Sequence, residues 1–217
     1  MKTVIRESRA DNIVLNAQQV FYKKGFVLTS ISDVCKATGC SRTTLYTYFE
    51  SKENLYLAVV KKAFQKFLFP FGELIDQLTD DSGIDRVVAL SLQYLGFARK
   101  SSRHYQVILD FYTILRNLTE AEFLTESQEK IKSCSLFTEV EKLAILPLNM
   151  LEAEVKNGQS DKTISNDQSA HIHLTNLWAY LKGLADVTPI VNDLNHKMRN
   201  FEIEESDIVA TIRRILG

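Results

Sequence analysis

Chain-breaking residues are scarce: 8 glycines and 3 prolines are spread over 217 residues. That scarcity constrains the fold more than any single motif. An all-β chain needs such residues at each of its many turns, whereas long helices need their absence. The expectation is an all-α protein. With 45% hydrophobic and 24% charged residues, the chain can bury a core and is not a disordered polymer. No run nears the ~18 apolar residues of a membrane span, so no membrane partner is expected. The first twelve residues lack an apolar signal segment. Three cysteines, an odd number, do not make a disulfide framework, and a reducing, cytoplasmic setting is expected.

The few breakers that exist cluster at the start and divide it into short helices. Ile13, Ala17, Val20 and Phe21 share one face of a first helix over about Arg9 to Lys24, and Gly25 is placed to end it in a left-handed conformation. Ser30-x-x-Asp33 is the pattern of a reciprocal cap opening a second helix, Ile31 to Thr38, which Gly39 stops. Ser41 caps a third helix, Arg42 to Phe49, with Leu45 and Phe49 on one side. Ser51 caps a fourth, running from Lys52 towards Lys66. Two helices of about eight residues joined by a glycine-containing turn are a helix-turn-helix. Helices so short are marginal alone, so residues 1–50 are expected to form one three-helix unit.

Charge is divided unevenly between this head and the rest. Residues 1–66 hold eleven Lys and Arg against five Asp and Glu, a net of +6, while residues 67–217 hold 15 against 22, a net of −7. A basic end on an acidic body suggests a polyanion partner at that end; chance clustering is the plainer reading.

Beyond residue 66 the pattern predicts longer helices. Asp85 to Lys100 is one and Ser102 to Asn117 another, the latter apolar around most of its circumference except a strip of Arg103, Gln106, Asp110, Thr113 and Asn117. Ser133 to Lys156 is expected as a long helix kinked at Pro147, followed by a polar loop over 157–165. Ser165-x-x-Gln168 reads as a second capping box. The helix it opens, Asn166 to Val187, aligns Ala170, Leu174, Leu177, Leu181 and Leu184, with Trp178 beside them. Thr188-Pro189 reads as a fresh helix start or a kink. Ser206 to Leu216 closes the chain as a short amphipathic helix.

Four segments in order resemble the DNA-binding domain of TetR-family transcriptional regulators. They are Ala17-x-x-Val20-Phe21-x-x-x-Gly25-Phe26, Thr29-Ser30-Ile31-x-Asp33-Val34, Gly39-x-Ser41-Arg42-x-Thr44-Leu45-Tyr46-x-Tyr48-Phe49, and Ser51-Lys52-Glu53-x-Leu55. The likeness covers about Ile13 to Val60. Cys35 and Cys40 stand at small apolar positions, Arg42 where lysine is common, and Thr44 where a smaller residue is usual. The resemblance implies 1–50 as a helix-turn-helix DNA-binding domain, 51–66 as a connecting helix, and 67–217 as a helical effector-binding and dimerisation domain. It implies a dimeric repressor on a palindromic double-stranded operator, released by a small-molecule effector, with no cofactor and no metal. A helical DNA-binding regulator without an effector, or an activator, is the alternative.

In a helix-turn-helix the second helix enters the major groove N-terminus first. That assigns Ser41, Arg42, Thr43 and Thr44 to the DNA, with Arg42 either reading guanine or touching a phosphate. Tyr46 and Tyr48 face out opposite Leu45 and Phe49. Lys52 resembles the family's phosphate-binding lysine, and Thr29 and Ser30 offer hydroxyls to the backbone at the start of the second helix. The resemblance puts the dimer surface on the last two helices, with Leu174, Trp178, Leu181, Ile208 and Ile212 as candidates, although Trp178 reads equally as monomer core. Phe67, Tyr94, Phe97 and His104 are candidates for an effector pocket, with Tyr105, Phe111 and Tyr112; the plain reading of the aromatics is core packing. Cys35 and Cys40 are a conceivable redox pair or simply small buried residues. No Ser/His/Asp or Cys/His constellation, phosphate loop or metal-ligand spacing supports an enzyme.

Overall fold

The computed structural model describes the backbone of residues 2–120, 124–195 and 203–217, and side chains for 8–119, 124–187 and 203–217. Among the described residues there are ten α-helices and no strand: α1 (Lys2–Leu28), α2 (Ile31–Thr38), α3 (Arg42–Tyr48), α4 (Lys52–Gln77), α5 (Gly83–Lys100), α6 (Ser102–Glu120), α7 (Glu126–Ser133), α8 (Phe137–Ser160), α9 (Ala170–Asn195) and α10 (Glu205–Leu216).

Caps set most boundaries in the head. Ser30 and Asp33 form the expected reciprocal box: the Asp33 N–H donates to Ser30 Oγ at 3.1 Å, and the Ser30 N–H donates to Asp33 Oδ2 at 3.0 Å. Gly39 ends α2 at φ 67, ψ 13, a left-handed conformation that L side chains rarely adopt. Ser41 Oγ accepts from the Thr44 N–H at 3.0 Å and opens α3. Gly25 behaves differently from the expectation. Its φ of 68 comes with a ψ of 174, so it kinks α1 instead of closing a left-handed cap, and helical backbone resumes to Leu28.

Elsewhere the boundaries shift for identifiable reasons. Helix α4 does not end near Lys66 but continues to Gln77 with Pro70 inside it. The long helix expected from Ser133 starts instead at Phe137 and runs to Ser160, taking in the start of the presumed loop. Ahead of it, an unforeseen α7 is opened by a Thr125–Gln128 capping box. The Ser165–Gln168 box does not form. Ser165 Oγ accepts from the nearby Asp167 N–H at 3.1 Å, and Ser169 supplies the hydroxyl at the start of α9. The backbone of α9 passes through Thr188-Pro189 to Asn195 without a fresh helix start.

The chain divides into two compact units, and the division cuts across the expected domains. The first unit holds residues 1–66 together with 103–144. In it α1, α4, α6 and α8 meet through aromatic rings: Phe21 lies edge-on to Tyr56 at 5.3 Å, Phe64 to Phe111 at 6.2 Å, and Phe111 to Phe137 at 6.5 Å. Helices α2 and α3, of eight and seven residues, are too short to stand alone, and a unit of few helices buries little apolar area, which fits the later helices completing this unit. Lys62–Asp11 at 2.9 Å and Lys61–Glu139 at 2.7 Å add ion pairs at its surface.

The second unit holds residues 67–102 and 145–217. Its centre is Phe67, Phe71, Tyr94 and Phe97 with Leu177, Leu181 and Ile212, all buried. Gly83, first in α5, lies directly against Gly158 near the end of α8, where a Cβ on Gly83 would come within 2.1 Å of the Gly158 nitrogen. The adjoining loop caps α5, with the Gly83 N–H donating to Asp161 Oδ2 at 2.7 Å. A pair between the half-buried Arg86 and the buried Glu154, at 2.6 Å, ties α5 to α8.

Candidate nucleic-acid interface

Helix α3 presents a polar face on an apolar footing. Leu45 is fully buried and Phe49 nearly so, and they set the rotation of the helix. Arg42, Thr43, Tyr46 and Thr47 are consequently exposed, Tyr46 at 49%. Thr47 was not among the residues expected there, although its place two residues from Leu45 turns it outward on any α-helix. Thr44 and Tyr48 are half-buried.

Four other expected DNA ligands are committed internally. Thr29 is 2% exposed, and its Oγ1 donates to the Gly25 carbonyl at 2.7 Å, which removes it from any phosphate. Ser30 Oγ, besides its cap, donates to Asp33 Oδ2 at 2.7 Å. Hydrogen bonds from Lys24 and Ser30 hold the Asp33 carboxyl well below the usual carboxylate range. Ser41 Oγ serves the α3 cap and lies 2.9 Å from Thr44 Oγ1. Lys52 Nζ donates to the carbonyls of Phe26 and Thr29, both at 3.2 Å, and stands 4.4 Å from the centre of the Phe26 ring. The ammonium therefore braces the α1–α2 turn, where open carbonyls attract a cation, instead of projecting towards solvent.

Beside the α2–α3 turn an open cleft of about 590 Å3 is lined by Ser8, Arg9, Asn12, Ile13 and Asn16 of α1 and by residues 38–40. Val27 and Leu28, 83% and 76% exposed, form an apolar knuckle just before α2. Neither feature is legible in the order of residues, because each depends on how α1, α2 and the turns between them are placed in space.

The expected effector-pocket residues fall into different units. Phe67, Tyr94 and Phe97 belong to the second, where Phe67 touches Phe97 at 4.9 Å and Tyr94 meets Trp178 at 5.2 Å. His104, Tyr105, Phe111 and Tyr112 belong to the first. There the Tyr112 hydroxyl donates to the Ala144 carbonyl at 2.7 Å, and His104 lies edge-on to Tyr22 at 5.3 Å. Burial, then the nearby Lys66, pulls the His104 imidazole down to about 4. Apart from the half-buried His104 and Tyr112, these side chains are packed core.

The expected dimer residues need a firmer correction. Leu181 and Ile212 are 0% exposed within the single chain and Leu174 only 7%, so they have no area left for a second copy. The reason is α10, which packs on α9: the His173 ring nitrogens lie 3.2 and 3.1 Å from the Ile215 and Ser165 carbonyl oxygens. Trp178 and Ile208 are half-buried. Cys35, Cys40 and Cys134 carry free thiols. Among the described residues no helix is long and apolar enough to cross a membrane, and no group of three His, Cys, Asp or Glu is arranged around a metal position.

Residues 13–59 match the family model for bacterial regulatory proteins of the tetR family. The HTH-type transcriptional activator FasR of Mycolicibacterium smegmatis is 24% identical over 124 residues, 56% of each protein. The chain thus spans little more than half the length of that curated relative. Among solved structures, a tetR-family regulatory protein from Rhodococcus RHA1 superposes with a TM-score of 0.68 at 15% identity, covering 96% of this chain and 97% of that one. The regulator FadR of Bacillus subtilis, in complex with stearoyl-CoA, gives 0.58 at 14%, covering 94% and 96%. The helix-turn-helix of residues 13–59 is thus that of tetR-family regulatory proteins, and the whole chain shares its fold with solved structures of that family.

Proposed function

We propose that the chain is a sequence-specific, DNA-binding transcriptional regulator, acting as a homodimeric repressor that a small-molecule effector releases from its operator. One observation carries the reading: the Arg42, Thr43 and Tyr46 side chains are exposed on a helix whose rotation Leu45 and Phe49 fix, with Thr47 exposed beside them and its hydroxyl donating to the Thr43 carbonyl at 2.9 Å. Arg42, at the N-terminal end of α3, is the candidate for a bidentate contact with guanine. Thr43 and Thr47 have the chemistry to hydrogen-bond a base or touch a thymine methyl, and the Tyr46 hydroxyl to reach a phosphate. Residues 1–50 are the DNA-binding segment in this reading, and residues 67–217 supply dimerisation and effector binding. The setting is the cytoplasm, and no catalytic role is assigned.

One helix-turn-helix reads only a few base pairs, so specificity calls for two-fold symmetry. The face of α9 that the chain leaves open carries Ile172, Asn176, Ala179, Gly183 and Val187, and this face replaces the buried leucines as the proposed dimer surface. For the effector, the stearoyl-CoA held by FadR makes an apolar chain the first class to try. Whatever the effector, the coupling is reciprocal: DNA weakens effector binding by the factor by which the effector weakens DNA binding. A second reading, activation, is favoured by FasR, which is an activator.

The test is selection of bound duplexes from random DNA by the purified protein. An enriched inverted repeat is the expected result. The absence of any enriched sequence at low ionic strength defeats the proposal. With the enriched duplex in hand, an assay of RNA polymerase output separates repression from activation.

A further inference from the structure

The recognition helix is seven residues long, so the joint that follows it governs its angle. Glu50, the residue after Phe49 in that joint, is exposed, yet one of its oxygens is fully engaged. Glu50 Oε1 accepts from Ser135 Oγ at 2.6 Å, from Asn54 Nδ2 at 2.8 Å and from the Ser135 N–H at 3.3 Å. Asn54, buried in the first turn of α4, also reaches Ser135 Oγ at 3.2 Å. The neighbouring Ser51 Oγ, which accepts from the Asn54 N–H at 3.0 Å, lies 3.8 Å from Cys134 Sγ. Cys134 in turn donates to the Lys130 carbonyl at 3.0 Å. The break between α7 and α8 is thus stitched to the joint between α3 and α4, all inside the first unit. Core packing does not require this, because Glu50 and Ser135 are both exposed and water would satisfy them equally well.

We propose that Ser135 is a positioning residue for the recognition helix: the α7–α8 junction holds Glu50 and thereby sets the pitch of α3. This inference rests on the DNA-binding reading and adds its regulation. A movement of α7 or α8 within the unit reaches α3 through Ser135 and Glu50, with Asn54 as the shared anchor. The bonds from Ser135 also keep the Glu50 carboxyl below the usual carboxylate range, so the acceptor stays ionised near neutral pH.

The probes are a duplex enriched by the wild-type protein from random DNA and a shuffled duplex of the same composition. Affinities for both are measured by fluorescence anisotropy across a salt series, with melting temperatures alongside. Ser135→Ala is expected to lower the enriched-over-shuffled ratio roughly five- to tenfold, the low end of ordinary couplings between sites. Affinity for the shuffled duplex, the salt slope and the melting temperature stay close to wild type. Glu50→Ala lowers the same ratio, the double variant is no worse than the more affected single variant, and Glu50→Gln, which keeps the acceptor, restores most of it. An unchanged ratio in Ser135→Ala, or additive losses in the double variant, overturns the inference while leaving the DNA-binding reading intact. A loss of ratio that merely follows a fall in melting temperature overturns it too. Failure of the wild-type protein to enrich any sequence defeats both.

Discussion

The seven residues of α3 and the twenty-six of α9 meet water on different terms. In α3 one apolar stripe, Leu45 and Phe49, faces inward, and most of the remaining surface is polar and exposed. In α9 the inward face runs through Ala170, Leu174, Leu177, Leu181 and Ala185, yet the outward face still carries Ile172 and Val187, 46% and 48% exposed. A helix with a single stripe has one way to sit on its neighbours. A helix with apolar residues on both sides has two, and only the other elements decide between them. The exposed face of α3 is therefore determined locally, whereas that of α9 is set by α5 and α10, which pack against it.

The largest effect that would break this comparison belongs to α9. Leu181→Ala is expected to cost the folded chain about 2–5 kcal/mol in urea denaturation, while Gly183→Arg, placed where a side chain meets open space, leaves stability nearly unchanged and yields monomers in light scattering. If Leu181→Ala dissociates dimers without weakening the fold, the inward assignment of that face is wrong. On α3, Arg42→Ala is expected to lose about 1–3 kcal/mol on the enriched duplex and to relax preference at one position per half-site. A uniform loss on all duplexes, with the salt slope lowered by about one, would identify a phosphate contact instead.

Lys52→Ala sharpens the same comparison on a smaller scale. The two carbonyl bonds of its ammonium predict a loss of about 1–2 kcal/mol in fold stability and an unaltered salt slope. A slope lowered by about one would return Lys52 to the DNA. The smallest effect is that of His104. Its imidazole ionises near 4 in the folded chain against an ordinary 6.5, so between those values the unfolded state binds the extra proton. Stability then falls as pH drops through that window and is insensitive to this group above it. Melting temperatures at pH 7 and pH 5 should converge slightly in His104→Gln relative to wild type; an equal drop in both proteins removes His104 as the cause.

What the sequence discloses follows the same division. The head is legible because its boundaries are written in caps and turns, whose chemistry acts over three or four residues: Ser30 with Asp33, Gly39, and Ser41 with Thr44. The division into compact units is not legible, because whether α6 and α7 close over a three-helix head depends on contacts some eighty residues apart, such as Ser135 on Glu50. The candidate interface is half legible. Arg42 and Tyr46 can be assigned outward from the position of Leu45, but nothing in the order of residues discloses that Thr29 turns its hydroxyl to Gly25 or that Lys52 turns its ammonium to Phe26 and Thr29. Small polar groups beside open backbone carbonyls have competing partners, and tertiary geometry selects among them.

The meeting of Gly83 with Gly158 carries a consequence of its own. Where main chain rests on main chain with no side chain between, there are no rotamers to exchange and no slack to take up. The start of α5 and the end of α8 must travel as one rigid weld, and any rearrangement of the second unit has to hinge elsewhere.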